Sequence, residues 1–189
     1  ILYTIYIAIT LIQIVFLLIG KMPLFDTLCT AFGTAGTGGF GIKADSMASY
    51  STYLQVVITV FMILFGVNFN VYFFILTKKF AQAFKMEEVR YYFAIIAIAV
   101  LIITCNIYHM FGSIPEAFQQ AAFQVGSIIT TTGYATTDFN LWPEISRTIL
   151  VLLMFIGACA GSTGGGIKVS RILILCKTVR KELHIFLHP

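Results

Sequence analysis

TAGTGGFG, residues 34–41, has four glycines in eight residues and lies between two long apolar runs. TTTGYATTDF, residues 130–139, also lies between two apolar runs. Segments this rich in glycine and threonine are poor candidates for a regular helix or strand interior. Non-helical backbone at membrane depth is tolerated only where protein buries it or where it lines a water-filled cavity. The two segments therefore raise the question of what an irregular backbone does inside a membrane.

The composition of the chain is that of a membrane protein. Of its 189 residues 59% are hydrophobic and 11% are charged, and the mean hydropathy is +0.93. Soluble domains carry about 25% charged residues. A spanning helix needs about 20 apolar residues. The sequence predicts four such helices, over residues 1–20, 54–77, 91–111 and 145–176, the last interrupted by GACAGSTGGGIK at 157–168.

The positive charges predict the topology. They concentrate in the connection over residues 78–90 and in the C-terminal tail, at Lys78, Lys79, Lys85, Arg90, Lys177, Arg180 and Lys181. Because Lys and Arg near helix ends favour the cytoplasmic side, the linker and tail are predicted to be cytoplasmic and both Thr/Gly segments to face outside. The net charge of +4 then reflects topology, and no nucleic-acid partner is expected.

The chain contains an internal repeat. Each half has a long apolar helix, a short apolar helix beginning near Pro23 or Pro115, a Thr/Gly segment and another long apolar helix. The short helices, residues 24–34 and 116–128, are too short to span and are predicted to be re-entrant. Carbonyls of the following segments can replace the water shell of a cation. The alternative, that both segments are ordinary loops, is weakened by their occurring in register.

Several longer stretches resemble a known family. FDTLCTAFGTAGTGGFG, VFMILFGVNF, TTTGYATTDFNLWP and GACAGSTGGGIKVSR look like the TrkH branch of the Trk/Ktr/HKT potassium-uptake superfamily. The family has four helix–pore loop–helix repeats around a pseudo-fourfold pore, and this chain resembles the second and third, without the first and fourth. The resemblance implies an all-α membrane protein with one repeat over residues 1–77, a cytoplasmic linker over 78–90 and a second repeat over 91–189.

The resemblance also implies a selectivity filter for potassium ions. The filter segments are residues 36–40 and 130–134, and their carbonyls come from Thr37, Gly38, Gly39, Thr131, Thr132 and Gly133. The family filter has one common glycine per repeat, matched here by Gly39 and Gly133. Potassium channels carry a longer signature in four identical copies, so weaker discrimination against sodium is expected here.

The glycine-rich interruption at 157–168 admits three interpretations. A phosphate-binding loop would need a lysine where Ile167 stands. Gly157, Gly161 and Gly165 are spaced by four, as in a helix-packing face of small residues. The third interpretation, which the resemblance supports, is a flexible, loosely packed intramembrane loop that gates the pore below the filter. Its residues are Gly157, Gly161, Ser162, Thr163, Gly164, Gly165, Gly166 and Lys168.

Within this gate, the Ser162 and Thr163 hydroxyls are expected to satisfy freed backbone groups, and Lys168 to add a positive electrostatic barrier. Asn68 and Asn70, in an apolar helix, are expected to hydrogen-bond to neighbouring helices. Asp45 and Asp138 follow the two filter segments. They either concentrate cations at the mouth or serve as ordinary loop acids and caps.

These features predict the pore-forming subunit of a Trk-type potassium-uptake system in a bacterial inner membrane. Permeation is passive or ion-coupled, with potassium as the transported ion, no organic cofactor and no enzymatic chemistry. The resemblance implies a homodimer of complete pores in membrane lipid, with a cytosolic nucleotide-binding regulator of the TrkA type on the basic inner face. The alternative function is a non-conducting membrane scaffold packed through small-residue helix faces.

Overall fold

The computed structural model describes residues 2–187, apart from the side chain of residue 84. All regular secondary structure within these residues is helical, with a single isolated β-bridge. The α-helices are α1 (Leu2–Ile19), α2 (Leu24–Ala35), α3 (Thr52–Phe65), α4 (Phe69–Leu76), α5 (Phe80–Lys85), α6 (Glu87–Ile107), α7 (Ile114–Ile129), α8 (Glu144–Phe155) and α9 (Val169–Leu187). The fold class is therefore the predicted one, an all-α protein of apolar helices and re-entrant segments.

Among the described residues, two single helical segments are long and apolar enough to cross a membrane, Leu2–Ile19 and Glu87–Met110, and a bent pair of helices, Thr52–Phe65 with Phe69–Leu76, qualifies when taken together. The second combines α6 with a short 3-10 helix, Tyr108–Met110. The linker predicted over residues 78–90 contains α5 and the first turn of α6. Glu87 and Glu88 in that turn favour the helix start because acids complement the positive end of the helix dipole.

The short helices α2 and α7 have 12 and 16 residues, too few to cross a bilayer, which needs about 20. Ser113 caps α7, because its hydroxyl accepts a hydrogen bond from the Glu116 amide at 3.4 Å. Pro115 follows within the first turn, where its missing N–H costs nothing. The buried α7 packs between α3, α6 and α8 and is the central helix of the second repeat.

The single span predicted over residues 54–77 is broken in the structure. Helices α3 and α4 meet at 90° across residues 66–68. A side chain at Gly66 would collide with the Tyr92 hydroxyl, 2.2 Å from an ideal Cβ, so only glycine fits there. Asn68 then caps α4 by accepting a hydrogen bond from the Asn70 amide at 3.0 Å. Sequence hydropathy alone registers no interruption here, because the residues on both sides are apolar.

The last span is broken more widely. Helices α8 and α9 are separated by residues 156–168, close to the interruption predicted at 157–168. Two apolar clusters form the core. One surrounds α6 and α7, and the other joins α1, α2 and α3 to Phe123 and Tyr134 from the second repeat. The two repeats therefore share a core.

Candidate functional site: two filter segments and a glycine-rich loop

The two filter segments leave their helices through the same hydrogen-bonded turn. In the first repeat the Gly38 amide donates to the Gly33 carbonyl at 2.8 Å. In the second the Thr132 amide donates to the Ser127 carbonyl at 2.9 Å. These pairs lie 94 residues apart, as do Gly39 and Gly133. The turn has the Schellman pattern that ends many helices and satisfies their last carbonyls.

Both turns place a threonine where glycine is usual. Thr37 and Thr131 have φ angles of 50° and 59°, in the left-handed region. That conformation costs roughly 1–2 kcal/mol for a residue with a Cβ and is rare for β-branched residues. Strain of this kind persists only where the surroundings impose it, and it occurs often at functional sites. The pair therefore marks the start of each filter segment as a constrained position.

The filter glycines follow with positive φ, +65° at Gly39 and +88° at Gly133. An ideal Cβ on Gly39 would lie 1.8 Å from the carbonyl oxygen of Thr132, so the two predicted filter segments approach each other closely. An ideal Cβ on Gly133 has no heavy atom within 4 Å. The Thr132 carbonyl and Gly39 backbone thus face each other, while Gly133 borders open space.

Polar contacts hold the second segment against the first repeat. The buried Tyr134 donates from its hydroxyl to the Thr30 carbonyl of α2 at 3.3 Å. Its own carbonyl accepts a hydrogen bond from the Ser127 hydroxyl at 2.6 Å. Gly33 makes room for this ring, since a Cβ there would lie 2.3 Å from the Tyr134 hydroxyl. Sequence reasoning did not assign this role to Tyr134.

The loops that follow the two filter segments contact each other. The Met47 amide donates to the Ala135 carbonyl at 2.9 Å. The side-chain amide nitrogen of the buried Gln55 lies within hydrogen-bonding distance, 3.0 to 3.3 Å, of three carbonyls of the same loop, those of Met47, Ala48 and Tyr50. Burial and a hydrogen bond to the Asp26 carboxylate raise the pKa of Tyr50, so its phenol remains the donor in that bond.

The two acids beyond the filters differ. Asp138 caps the 3-10 helix Phe139–Leu141, because its carboxylate accepts from the Asn140 amide at 2.9 Å. Asp45 is exposed. Within the described residues, no group of three or more His, Cys, Asp or Glu side chains is placed to hold a metal ion. The oxygen atoms that the site offers to a cation are backbone carbonyls and threonine hydroxyls.

The glycine-rich segment is a closed loop. Its two ends pair through a parallel bridge between Ile156 and Ile167, and the Gly157 amide donates to the Ile167 carbonyl at 2.7 Å. Because residues 156–168 are not helical, the helix-packing face predicted as an alternative does not form. The expectation that the loop is loosely packed is also wrong. An ideal Cβ on Gly157 would lie 2.1 Å from the Gly165 carbonyl oxygen, so these glycines permit close backbone contact.

The loop reaches the left-handed threonine of both filter turns. The Gly165 amide donates to the Thr131 hydroxyl at 2.6 Å, and the Thr37 hydroxyl donates to the Thr163 carbonyl at 3.1 Å. Gly164 packs under the second segment, where an added Cβ would lie 3.0 Å from the Thr130 carbonyl oxygen. The strained threonines therefore connect the two filter segments to one loop.

The loop and the α3–α4 break satisfy each other's backbone. The Cys159 amide donates to the Gly66 carbonyl at 3.0 Å, and the Phe69 amide donates to the Gly161 carbonyl at 3.1 Å. The Thr163 hydroxyl donates to the Phe65 carbonyl at 3.3 Å. Both breaks leave helix-end groups unpaired, and unpaired groups away from water are costly. The two interruptions are stable because they lie together.

Other loop side chains also serve the backbone. The Ser162 hydroxyl donates to the Cys159 carbonyl at 2.6 Å, so the predicted role of Ser162 and Thr163 in satisfying backbone groups agrees with the structure. The Lys168 ammonium donates to the Gly164 carbonyl and closes the loop internally.

Glu88 is the residue near the loop that sequence reasoning missed. Its carboxylate accepts from the Ala160 amide at 2.6 Å and the Ser170 amide at 3.2 Å. The amide of Asn68 donates to its other oxygen at 3.5 Å, which fulfils the expectation that Asn68 bonds to a neighbouring helix. Asn70 is exposed, and its backbone N–H donates a hydrogen bond to the side-chain oxygen of Asn68. The available signal was a second acid in EEVR, just where an apolar helix begins.

Comparisons with known proteins agree with this geometry. The TrkH family model, described as a cation transport protein, matches residues 1–189. The Trk system potassium uptake protein TrkH of Vibrio parahaemolyticus is 37% identical over 202 residues, covering 100% of this chain and 40% of that protein. TrkH of Salmonella typhimurium is 33% identical over 192 residues, with the same coverages.

TrkG of Escherichia coli K12, also a potassium uptake protein, is 33% identical over 175 residues, which are 89% of this chain and 35% of that protein. The crystal structure of the potassium transporter TrkH from Vibrio parahaemolyticus superposes with a TM-score of 0.92 at 34% identity, covering 100% of this chain and 42% of that one. This chain thus spans about 40% of the length of its curated relatives. With a family match over its whole length, the chain belongs to the TrkH family of cation transport proteins.

Proposed function

We propose that the chain forms two pore-loop repeats of a potassium-uptake transporter and lines part of its permeation pathway. The observation that carries the proposal is the pair of filter segments, which share one backbone geometry and face each other at Gly39 and the Thr132 carbonyl. The relatives' names supply the ion, since TrkH and TrkG are potassium uptake proteins. Permeation through such a path is passive or ion-coupled and needs no covalent chemistry.

In this proposal backbone carbonyls replace the water shell of a potassium ion. They belong to Thr37, Gly38, Gly39, Thr131, Thr132 and Gly133. The C-terminal ends of α2 and α7 immediately precede the two segments, and each carries a partial negative charge that favours a cation. The fixed turn at each helix end keeps the carbonyl positions constant, which discrimination between ions of different radius requires.

The loop at 156–168 is the proposed gate. Its hydrogen bonds to Thr37 and Thr131 support a position against the inner side of both filter segments, where it obstructs the path. Because the two bonds to the filter segments end on hydroxyls, the loop can leave the filter without unfolding α7. Its release also requires loss of the hydrogen bonds between the loop and the α3–α4 break. The positive charge of Lys168, which we expect to act as an electrostatic barrier, is held within the loop, because its ammonium donates a hydrogen bond to the Gly164 carbonyl.

We propose the orientation that the charges favour, with the filter segments outside and the basic linker and tail in the bacterial cytoplasm. The exposed basic residues of α9, Lys177, Arg180 and Lys181, then face the cytosol. That face suits docking of a TrkA-type nucleotide-binding regulator. The homodimer of complete pores in lipid, expected from the family resemblance, belongs to the same proposal.

The filter is tested with Gly133→Ser in the complete native reading frame that contains this chain. The site has room for a Cβ, but its φ of +88° strains any L side chain, so the variant should fold with altered carbonyl directions. We expect relaxed potassium-over-sodium selectivity, measured as growth and uptake in a potassium-uptake-deficient strain with sodium competition. Gly112→Ser is the matched control, since its Cβ meets only one side-chain atom, at 3.9 Å. Unchanged selectivity in Gly133→Ser removes this segment from the filter.

The gate is tested by deleting residues 161–165 and measuring potassium flux into liposomes. If the loop blocks the path, flux should rise while selectivity stays largely intact, because the filter carbonyls lie elsewhere. A monodisperse deletion variant with unchanged or lower flux contradicts the gate.

A further inference from the structure

One carboxylate joins three separate parts of the chain behind the loop. Glu88, half-buried in the first turn of α6, accepts a hydrogen bond from the Ala160 amide inside the loop at 2.6 Å. The same oxygen accepts from the Ser170 amide in the first turn of α9 at 3.2 Å. Its second oxygen accepts from the Asn68 side chain, at the α3–α4 break, at 3.5 Å. All three partners lie at helix interruptions.

We propose that Glu88 is a positioning residue that latches the loop at 156–168 in its blocking position. The blocking role itself rests on the gate described above, whereas the latch concerns what fixes the loop. The filter threonines hold the loop through Thr163 and Gly165, and Glu88 holds it at Ala160 on a different side. Release of the loop then requires loss of the Ala160–Glu88 bond.

The electrostatics explain why a carboxylate serves here. The amide of Ser170 belongs to the first turn of α9, where unpaired N–H groups and the helix dipole favour an anion. Hydrogen bonds to a charged acceptor are stronger than those to a neutral one. A single negative side chain therefore stabilises the end of the loop and the start of α9 together, which a neutral residue at this position does less well.

The same bonds give α9 a direct connection to the loop. Beyond Ser170, α9 runs to Leu187 with predominantly exposed side chains. A displacement of α9 that lengthens the bond between Ser170 and Glu88 disturbs the acceptor that also holds Ala160. The carboxylate thus lies at the point where movement of an exposed helix reaches the buried part of the loop, at residues 157–159.

The native thiol of Cys159 reports the state of the loop directly. It is buried and adjoins Ala160, whose amide Glu88 holds. In the complete reading frame with every other cysteine replaced by serine, we measure the labelling rate of Cys159 by a small cationic methanethiosulfonate in inside-out vesicles. We expect the rate to rise about tenfold in Glu88→Ala and about threefold in the isosteric Glu88→Gln, which keeps a neutral acceptor.

Glu87→Gln is the matched control, because it removes the same charge one residue earlier. Glu87 is exposed and pairs with Lys177 instead of the loop, so its variant should label within about twofold of the parent. A merely structural role of Glu88 predicts lower yield and broadened chromatography without selective exposure of Cys159. Should Glu88→Ala fail to fold, the isosteric Glu88→Gln decides. An unchanged labelling rate in folded Glu88→Gln and Glu88→Ala overturns the latch.

Flux through the same variants separates the latch from the gate. If the loop is both latched by Glu88 and obstructive, labelling and flux rise together. If labelling rises while flux does not, the latch stands and the proposed gate fails. If deletion of residues 161–165 raises flux but the Glu88 variants change neither quantity, the gate stands and the latch is wrong.

Discussion

Phe40 and Tyr134 occupy the same position in the two repeats, 94 residues apart, yet their surroundings are opposite. Phe40 is 82% exposed and Tyr134 is 1% exposed. The backbone that leads to each is nearly the same, with a left-handed threonine three residues before the aromatic ring. Tyr134 is buried because the first repeat's α2 lies beneath it, whereas nothing in the described residues covers Phe40 in that way.

The filter glycines differ in the same sense. Gly39 lies against the Thr132 carbonyl of the second repeat, and Gly133 borders open space. The second repeat thus packs its proposed filter segment on the first, and within the described residues no third segment packs on Gly133. The comparison teaches that local sequence sets the path of each filter segment, while the neighbouring repeat sets how tightly it is held.

The two helix interruptions, one in each repeat, differ in length. The break between α3 and α4 covers residues 66–68, and the corresponding break between α8 and α9 covers residues 156–168. The short break provides carbonyls and an amide that the longer loop uses. A repeated architecture has therefore been adapted so that one repeat carries the proposed gate and the other supports it.

The largest difference is expected between Gly39→Ala and Gly133→Ala. A Cβ at residue 39 would lie 1.8 Å from the carbonyl oxygen of Thr132. This oxygen belongs to the backbone of the second filter segment and can move only if that segment moves, so the first variant should lose more than about 4 kcal/mol of stability. The second has room and should lose only the roughly 1–2 kcal/mol of left-handed strain. Thermal unfolding followed by fluorescence-detected chromatography measures both. Equal losses would break the asymmetry between the repeats.

Truncating the aromatic rings should give the next largest difference. Tyr134→Ala removes a buried ring and is expected to cost about 3–5 kcal/mol. Phe40→Ala changes an exposed ring and should stay within about 0.5 kcal/mol in the isolated protein. The same thermal assay decides between them. A large loss at Phe40 would mean that another surface covers it in the intact transporter.

A smaller difference is expected between Thr131→Val and Thr37→Val, which keep the β-branched shape and remove the hydroxyl. Thr131 loses the acceptor for the Gly165 amide, so the loop should be weakened by about 1–3 kcal/mol. The Thr37 hydroxyl is shared between the Gly36 and Thr163 carbonyls, and its loss should cost less. Liposome flux tests this order, with a greater rise in Thr131→Val. The reverse order would place the main loop contact in the first repeat.

The smallest difference concerns the rim acids. Asp138→Ala removes a cap and should cost about 1 kcal/mol. Asp45→Ala is expected to be nearly neutral for stability, because its carboxylate is exposed. If either variant lowers uptake at limiting potassium without a loss of stability, that acid concentrates cations at the mouth.

Much of the site could be predicted from short stretches of sequence. The alignment of Gly39 with Gly133 and of Thr37 with Thr131 predicted two equivalent segments, and the structure gives both the same turn because a helix-ending turn depends on neighbouring residues. The glycine-rich interruption was also visible, since five glycines between residues 157 and 166 cannot continue a helix without large cost. Its packing was not, because glycine is compatible both with mobility and with close backbone contact.

The 90° bend at residues 66–68 lay beyond sequence reasoning because it depends on a distant partner. Gly66 and Asn68 look tolerable in an apolar helix, and only the Tyr92 ring and the loop show why the helix ends there. The span predicted as continuous is broken since a second interruption lies beside it and satisfies its backbone.

The sequence by itself determined the membrane class and the internal repeat, because these follow from composition, helix length and local backbone preference, and its resemblance to a known family supplied the proposed filter residues. Only the tertiary structure decided that Glu88 holds Ala160, that Tyr134 reaches Thr30, and that Thr37 meets Thr163. These partners are separated by 72, 104 and 126 residues. Contacts over such distances depend on how the two repeats pack, and no local pattern in the chain encodes that packing.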